Sequence, residues 1–112
     1  VKLGYIPYEM SFEKFIIHDG HARLEFNYKG DQVYFIQSKY EKAASYKIDT
    51  DGEYEEVVYN KWLRQDLTIE KEKRSDSSER YSVSFVYKGA YYRIIGTVEE
   101  KEFMTIVERL IP

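Results

Sequence analysis

The stretch from Tyr81 to Leu110 constrains the fold more than any other part of the chain. Large apolar side chains alternate with smaller or polar ones over residues 81–88, which is the period of a strand with one buried face. Lys88 and Gly89 follow as a hairpin turn, because glycine adopts a positive φ without steric cost. Residues 90–95 are rich in aromatic and β-branched side chains and predict the returning strand.

A helix is predicted after this hairpin, over residues 97–111. Thr97 and Glu100 have the spacing of a capping box, and acidic residues in the first turn suit the positive end of the helix dipole. The apolar residues that recur at helical spacing on one face are Phe103, Ile106, Val107, Leu110 and Ile111. A helix this short is marginal alone, so its apolar face is expected to pack on the sheet.

The chain before this hairpin predicts further strands joined by short turns. The predicted strands cover residues 12–18, 22–28, 33–38, 55–62 and 66–73. Asp19-Gly20 and Lys29-Gly30 are predicted hairpin turns. The remaining connections are predicted as a loop or short helical turn over 39–47, a turn over 48–52 and a polar hairpin loop over 74–79. Strands first and a helix last indicate an α+β fold, with a curved antiparallel sheet of about seven strands in a meander.

Length and composition favour one folded domain over residues 1–112. With 112 residues, 43% of them hydrophobic and 17% aromatic, the chain has enough apolar material for a core and is unlike a disordered sequence. Within that domain we predict an irregular lead-in over residues 1–10, strands over 11–96 and the helix over 97–111.

The charge balance and residue content exclude several classes of protein. Phosphate binding needs a concentrated basic face, and 17 basic against 20 acidic residues give no reason to expect a nucleic-acid partner. The chain has no cysteine, which excludes disulfides, thiolate zinc sites and cysteine nucleophiles. It contains no signal peptide and no apolar run long enough to span a bilayer. Because Val1 is not a natural start residue, we expect the chain to be a fragment of a longer protein.

Twelve tyrosines are an unusual number for this length. One helix of about four turns covers only part of such a sheet, so the sheet is expected either to curl on itself or to leave a second face exposed. The tyrosines predicted to line that face are Tyr34, Tyr54, Tyr59 and Tyr91. An open aromatic face of this kind would be a binding surface. The alternative is that these tyrosines fill half-buried sheet positions, where tyrosine is favoured.

Two short stretches resemble parts of metal sites. His18 and His21 flank the Asp19-Gly20 turn and could share a metal across the hairpin, although a site needs more ligands than the sequence shows there. Asp49 and Asp51 resemble the start of a calcium loop, but the distal glutamate at the required spacing is missing. Ordinary turns explain both stretches, so no metal and no cofactor is predicted.

The sequence contains no arrangement of residues that indicates catalysis. Glu99 and Glu100 are adjacent carboxylates, but their position at a helix start already explains them. Neither histidine lies in a nucleophile–histidine–acid pattern, and no glycine-rich phosphate loop is present. We therefore predict that the chain is not an enzyme. A hydrolase that uses His18 and His21 is the remaining enzymatic hypothesis.

Several short motifs resemble those of one protein family. Ile48-Asp49-Thr50-Asp51 is similar to its central I/Y-D-T-E signature, and Tyr5-Ile6-Pro7 to its opening Y-L-P. The stretch from Phe85 to Gly96, followed by the predicted helix, resembles its W-x-x-x-G-x-x-Y-x-x-x-G hairpin and final helix. The family is domain-of-unknown-function family 4367. Phe85 stands where members often have tryptophan, and Asp51 where they have glutamate. Residues 61–65 lack the glycine-containing turn that is common there.

The resemblance implies a location and an attachment. Members of this family occur in Gram-positive bacteria, usually as the extracellular part of a protein with one N-terminal transmembrane helix, and some have anti-sigma-like cytoplasmic parts. The resemblance therefore implies that this chain lies outside the cytoplasmic membrane, anchored by a helix that precedes it. The family has no established catalytic residues, so none is transferred.

Two functional hypotheses follow from the sequence and the resemblance. The first is a non-enzymatic extracellular module that binds a protein, peptide or cell-envelope component and senses or scaffolds through its membrane helix. The alternative is a carrier that holds a lipid or other small hydrophobic ligand between sheet and helix. The carrier predicts a large apolar cavity there, whereas a close-packed interior favours the binding module.

Overall fold

The computed structural model describes residues 1–39, 54–73 and 78–112. Its main sheet has seven strands: β2 (Met10–His18), β3 (His21–Tyr28), β4 (Asp31–Lys39), β5 (Tyr54–Asn60), β6 (Gln65–Lys73), β7 (Glu79–Tyr87) and β8 (Ala90–Gly96). A helix, α1 (Glu100–Glu108), follows β8. Two short strands, β1 (Lys2–Leu3) and β9 (Leu110–Ile111), pair with each other and bring the two ends of the chain together.

The strands of the main sheet lie in the order β2-β3-β4-β8-β7-β6-β5, and every neighbouring pair is antiparallel. The sequence prediction of an α+β fold with an antiparallel sheet and a C-terminal helix is confirmed. The meander is made of two parts, β2 to β4 and β5 to β8, which join where β4 pairs with β8. Among the described strands, β2 and β5 are therefore the two edges of the sheet.

Three two-residue turns set the register of the hairpins. Asp19-Gly20, Lys29-Gly30 and Lys88-Gly89 all have positive φ at both residues, with values of 47° and 77°, 50° and 89°, and 48° and 79°. Positive φ at both central positions is the signature of the type I′ turn, whose twist matches that of the flanking strands. The hairpin turns predicted from sequence are confirmed at all three places.

The hydrophobic core lies between one face of the sheet and α1. The buried residues of β7 and β8 fall at every second position, 81, 83 and 85 in β7 and 92, 94 and 96 in β8, as the alternation in the sequence predicts. The helix contributes the side chains of Phe103, Ile106 and Val107 to this core. Beyond the helix, the side chain of Leu110 in β9 is also fully buried. The ring of Phe103 stacks on that of Tyr81, with centroids 5.6 Å apart. The predicted docking of the helix on the sheet is therefore confirmed.

The helix is shorter than the predicted span of residues 97–111. Glu99 is its N-cap residue and makes no side-chain cap hydrogen bond, so the predicted capping box from Thr97 to Glu100 is wrong. Glu100 and Glu102 in the first turn keep the favourable interaction of acidic groups with the helix dipole. At the other end the helix stops at Glu108 because Leu110 and Ile111 pair with β1. Part of the predicted irregular lead-in is thus a strand.

Two further differences concern strand ends and undescribed segments. The strand predicted over residues 55–62 ends at Asn60, and Trp62 lies in the following turn. The connections predicted over 39–47, 48–52 and 74–79, with the calcium-like Asp49 and Asp51, lie mostly outside the described residues, while Lys39 and Glu79 belong to β4 and β7. Within the described ranges, α1 is too short and too polar to cross a membrane, and so no membrane-spanning helix is found there.

Candidate functional site

The predicted tyrosine face is spread across the sheet. Tyr34 on β4 and Tyr91 on β8 are half-buried on the face opposite to α1, and the Arg23 guanidinium carbon lies 5.3 Å from the centroid of the Tyr34 ring. Tyr59 lies on β5, three strands away from β8, which corresponds to about 14 Å at the usual strand spacing. Tyr54 begins β5, and its side chain lies outside the described part of the chain. Of the three tyrosines whose side chains are described, Tyr59 is the exposed one, with 58% of its surface accessible.

The two histidines are cross-strand neighbours, as their position around the turn predicts. His18 lies directly opposite His21 in the register of β2 and β3, and both side chains are exposed. The Nε2 atom of His18 is 3.1 Å from Oδ2 of Asp19. Across the described residues, no three side chains of the types that bind metals are grouped closely enough to hold an ion. The geometry here is that of a solvent-exposed hairpin turn.

A cleft of about 440 Å³ lies beside Tyr59, at the β5 edge of the sheet. Its lining residues are Gly4, Tyr59, Lys61, Trp62, Glu108, Arg109 and Ile111. Trp62 is 52% exposed and Tyr59 58% exposed, so the cleft presents two large aromatic side chains to solvent. A concave surface that combines apolar area with a few polar groups is the usual form of a binding site. We call it the Tyr59–Trp62 cleft.

The side chain of Asn60 shapes the turn that carries Trp62. Its Oδ1 atom accepts hydrogen bonds from the main-chain N–H of Trp62 at 2.9 Å and of Leu63 at 2.8 Å. Arg64 completes the turn with a φ of 56°, and β6 begins at the next residue. Leu63 is buried in the core. Because Leu63 fixes the turn from inside, the neighbouring Trp62 is held at the surface with its ring in the cleft.

The same asparagine joins this turn to the helix. Its Nδ2 atom donates to the main-chain oxygen of Val107 at 2.8 Å and of Leu110 at 3.0 Å. Carbonyl groups at the C-terminal end of a helix have no partner within the helix, and burial without one is costly. From β5, Asn60 supplies a donor to the Val107 carbonyl, which also accepts a main-chain N–H at the helix cap, and a donor to the Leu110 carbonyl of β9. The two walls of the cleft, the turn and the helix end, are thereby held at a fixed separation.

The third wall is formed by the start of the chain. The N–H of Gly4 donates to the main-chain oxygen of Arg109 at 3.2 Å, next to the pairing of β1 with β9. A Cβ atom at position 4 would collide with that oxygen, so only glycine allows this approach. The Tyr5 hydroxyl donates to Oε2 of Glu102 at 2.8 Å, and this hydrogen bond is the main reason that the pKa of Tyr5 is raised.

The cleft has two cations and one carboxylate at its surface. The Nζ atom of Lys61 lies 4.9 Å from the centroid of the Trp62 ring, and the guanidinium carbon of Arg109 lies 5.8 Å from that of Tyr5. Contacts of this length are favourable cation–π interactions and limit the freedom of the exposed side chains. Glu108 supplies the negative charge. A local positive excess in a chain of net charge −3 suits a ligand that carries a carboxylate.

The described residues that line the cleft offer aromatic surface and charged groups, and none of them is a serine, threonine, cysteine or histidine. Aromatic rings and guanidinium groups are the side chains that most often dominate the energy of binding surfaces. The arrangement can pack an apolar group on the rings and pair with an anion beside it.

Of the residues that line the cleft, the sequence prediction named Tyr59 alone, as part of a tyrosine face. An asparagine ahead of a tight turn often bonds main-chain N–H groups two and three residues on, and Asn60-Lys61-Trp62-Leu63 carries that signal. The pattern also marks Trp62, the single tryptophan, as a turn residue. Gly4 and Arg109 lack such a local signal, because their contact joins positions far apart in the sequence.

Comparison with known proteins identifies a family for the chain. Residues 1–110 match the family model described as "Domain of unknown function (DUF4367)", which agrees with the resemblance of the sequence motifs. Neither the curated proteins nor the solved structures give a significant match. The match covers nearly the whole sequence, and the chain belongs to the DUF4367 family.

Proposed function

We propose that this chain is a non-enzymatic binding module of a membrane-anchored bacterial protein, and that it senses or scaffolds by binding a peptide segment of a partner protein in the Tyr59–Trp62 cleft. The observation that carries the proposal is the exposure of two aromatic rings side by side, Tyr59 near the end of β5 and Trp62 on the following turn, which Asn60 and Leu63 hold in place. Large rings held in place without a partner are the usual anchors of protein recognition surfaces.

The cleft favours a peptide that combines an apolar side chain with an acidic group. Tyr59 and Trp62 offer apolar surface, and Lys61 and Arg109 lie within the same lining set. An arginine or lysine that pairs with a carboxylate makes a charge-assisted hydrogen bond, which is stronger than a neutral one and directional. Glu108 is expected to disfavour peptides with several adjacent acidic residues, because like charges repel.

The packing of the helix supports this proposal over a lipid carrier. Phe103, Val107 and Leu110 have no exposed surface, and Ile106 is almost as deeply buried. A carrier of the kind considered above would need a cavity of about 300–1,000 Å³ in that position. In the described part of the chain, that space is occupied by core side chains, whereas the Tyr59–Trp62 cleft opens to solvent.

Selection from a library of displayed random peptides tests the binding role. Peptides are enriched on the wild-type domain, depleted on a Trp62→Ala domain, and then measured by fluorescence polarisation. We expect the enriched peptides to share an apolar residue and a nearby Asp, Glu or free C-terminal carboxylate. Trp62→Ala and Lys61→Glu should each weaken binding by about tenfold or more, as for central interface residues.

Val57→Ala is the matched control, because Val57 is an exposed residue of β5 outside the lining of the cleft. It should leave peptide affinity within about twofold, since scattered surface contacts contribute little. Failure to enrich any peptide that distinguishes the wild type from Trp62→Ala would contradict the proposal.

The location outside the membrane rests on the family resemblance and has its own test. A tag placed after Pro112 in the full-length gene product, expressed in its source cells, should be removed by protease added to intact cells. Protection of the tag in intact cells, with cleavage after lysis, would place the domain in the cytoplasm and overturn this part of the proposal.

A further inference from the structure

Strand β2, at the edge opposite to the cleft, carries a row of exposed apolar side chains. Phe12, Phe15 and Ile17 are 57%, 53% and 72% exposed. Among the described strands β2 pairs with β3 alone, so its outer edge has main-chain groups available for pairing. A long edge strand with exposed apolar side chains is a template on which another strand can pair. This combination marks the edge as an interaction surface.

A β-bulge aligns this row on one face of the sheet. Phe12 lies opposite Phe26 and Phe15 opposite Leu24, with the register shifting between Phe12 and Lys14. Residues three apart in a regular strand point to opposite faces, but the extra residue of a bulge restores a common face. The ring of Phe12 contacts that of Phe26, at 5.7 Å between centroids, on the same side as the core.

The bulge also places two opposite charges together on the other face. Oε1 of Glu13 accepts a hydrogen bond from Nε2 of Gln32 at 2.7 Å, and Nζ of Lys14 lies 3.9 Å from Oε1 of Glu25. Gln32 and Glu25 both lie on the side opposite to their buried neighbours Val33 and Phe26. The centre of the strand is therefore a Glu-Lys pair flanked on each side by a phenylalanine.

We propose that β2 is a homodimer interface, in which two copies pair antiparallel about a two-fold axis at the bulge. In this register Phe12 lies opposite Phe15 of the second copy, and Glu13 lies opposite Lys14, with each pairing occurring twice. Residues directly opposite in an antiparallel pair share a face, and the bulge makes both pairings satisfy that condition. Cross-strand aromatic pairs and opposite charges each stabilise such a pairing.

The symmetry of the charges favours a second copy over another occupant. A two-fold interface must be complementary to itself, and an adjacent Glu-Lys pair at its centre meets that condition without an external partner. A membrane surface with anionic lipids would instead favour a cluster of cations beside the apolar row. In β2 the charge of the single lysine, Lys14, is balanced by that of Glu13. The proposed interface joins two seven-stranded sheets at their β2 edges.

The dimer would place the two Tyr59–Trp62 clefts at opposite ends of one continuous sheet. Each cleft lies beside β5, the edge farthest from β2 in the strand order. Two sites on a rigid dimer allow bivalent binding, which raises the apparent affinity for a partner that carries two motifs. The interface itself is independent of the proposed function, and so each can fail without the other.

Sedimentation equilibrium on charge variants tests the register. The wild-type chain should show a reversible monomer–dimer equilibrium between about 10 μM and about 1 mM, the range expected for a small interface. Glu13→Lys and Lys14→Glu should each weaken self-association by about tenfold, because each places like charges opposite one another twice. An equimolar mixture of these two variants should dimerise, since each opposed pair at positions 13 and 14 then again combines a cation with a carboxylate.

Ile17→Lys and Val57→Lys give a matched pair on the two edges of the sheet. Both native residues are exposed and β-branched, yet only Ile17→Lys should abolish the dimer. The melting temperature of each variant confirms that it is folded. A wild-type chain that remains monomeric throughout the range, or variants that dimerise equally, would overturn the proposal. If the wild type is monomeric and binds phosphatidylcholine vesicles, and Ile17→Lys abolishes that binding, the proposal is overturned and β2 is a membrane-binding surface instead.

Discussion

The side-chain nitrogen of Asn60 donates a hydrogen bond of 2.8 Å to the main-chain oxygen of Val107, across 47 residues of sequence. This contact joins the end of β5 to the last turn of α1. Asn60 is fully buried, and all its side-chain hydrogen bonds given above are made within the fold. A buried polar side chain with every group paired fixes one arrangement of its neighbours, because any shift leaves a polar atom unsatisfied.

Asn60→Ala is expected to lower the free energy of unfolding by about 3 kcal/mol. The substitution leaves buried carbonyl and N–H groups without partners, and each such group typically costs about 1–3 kcal/mol. Urea denaturation measures the loss. The main-chain amides of Trp62 and Leu63 should also exchange hydrogen faster, since they lose their acceptor. A loss below about 1 kcal/mol would show that water or a shift of the turn replaces the asparagine.

Asn60→Asp provides a control with a characteristic pH dependence. The carboxylate retains an acceptor for the turn but places negative charge beside the oxygens of Val107 and Leu110. Burial and these oxygens should raise the pKa of the new acid above its unfolded value. Its protonated form is then favoured by folding, so the stability deficit relative to the wild type should shrink as the pH falls from 7 towards 4.

Phe103→Ala is expected to cost about 3–5 kcal/mol of stability, as for emptying a core aromatic site. Phe103 has no exposed surface, and its ring stacks on Tyr81. Chemical denaturation of the variant measures the cost. Lys101→Ala is the control on the same helix, because Lys101 is exposed and its loss should change stability by no more than about 0.5 kcal/mol. Similar losses for the two variants would mean that α1 contributes little to the core.

The local parts of this fold could be predicted from the sequence because their signals are local. Alternation of side chains along 81–88 gave the buried face of β7, and the Lys88-Gly89 pair gave its type I′ turn. The apolar spacing from Phe103 onward gave the docked face of the helix. In each case the determining interactions lie within a few residues of one another.

The helix ends and the wall of the cleft made by Gly4 and Arg109 could not be predicted, because they depend on contacts between distant residues. The end of α1 is set by Asn60 and by the pairing of β1 with β9. The residues close to the helix end in the sequence give no signal that predicts either contact. The capping-box pattern from Thr97 to Glu100 is present in the sequence, yet the helix begins later, with Glu99 as its N-cap. Tertiary packing commonly overrides a local preference of this size. The distance between Tyr59 and Tyr91 likewise could not be predicted without the order of the strands in the sheet.

Gly4→Ala is expected to separate the start of the chain from the end of the helix. A methyl group at position 4 collides with the main-chain oxygen of Arg109, which accepts the Gly4 N–H hydrogen bond. Relief of the collision should break the pairing of Leu3 with Leu110 and cost about 1–3 kcal/mol, as for other overpacked sites. The main-chain N–H at position 4 should exchange hydrogen faster in the variant than in the wild type, because its hydrogen bond to Arg109 is lost. Lys2→Ala, at an exposed position of the same strand, should leave that exchange as slow as in the wild type.

The pKa of the Glu79 carboxyl group is lowered mainly by a hydrogen bond from the Tyr81 hydroxyl at 2.8 Å. Lys71, with Nζ 3.6 Å from the Glu79 carboxylate, lowers the pKa further. Tyr81→Phe keeps the ring that stacks on Phe103 but removes the hydroxyl, and the pKa of Glu79 should rise. Carbon-13 NMR titration of the glutamate carboxyls measures this change, and Lys71→Met should produce a smaller rise.

The direction of this shift also fixes how stability depends on pH. A carboxyl whose pKa is lower in the folded state stabilises the fold above its unfolded pKa, near about 4.3 for glutamate, and this contribution is lost as the pH falls through the folded value. The wild type should therefore exceed Tyr81→Phe in stability most clearly at pH 6, and the difference should shrink towards pH 3. A difference that stays constant over this range would mean that the hydroxyl acts through packing rather than through the charge of Glu79.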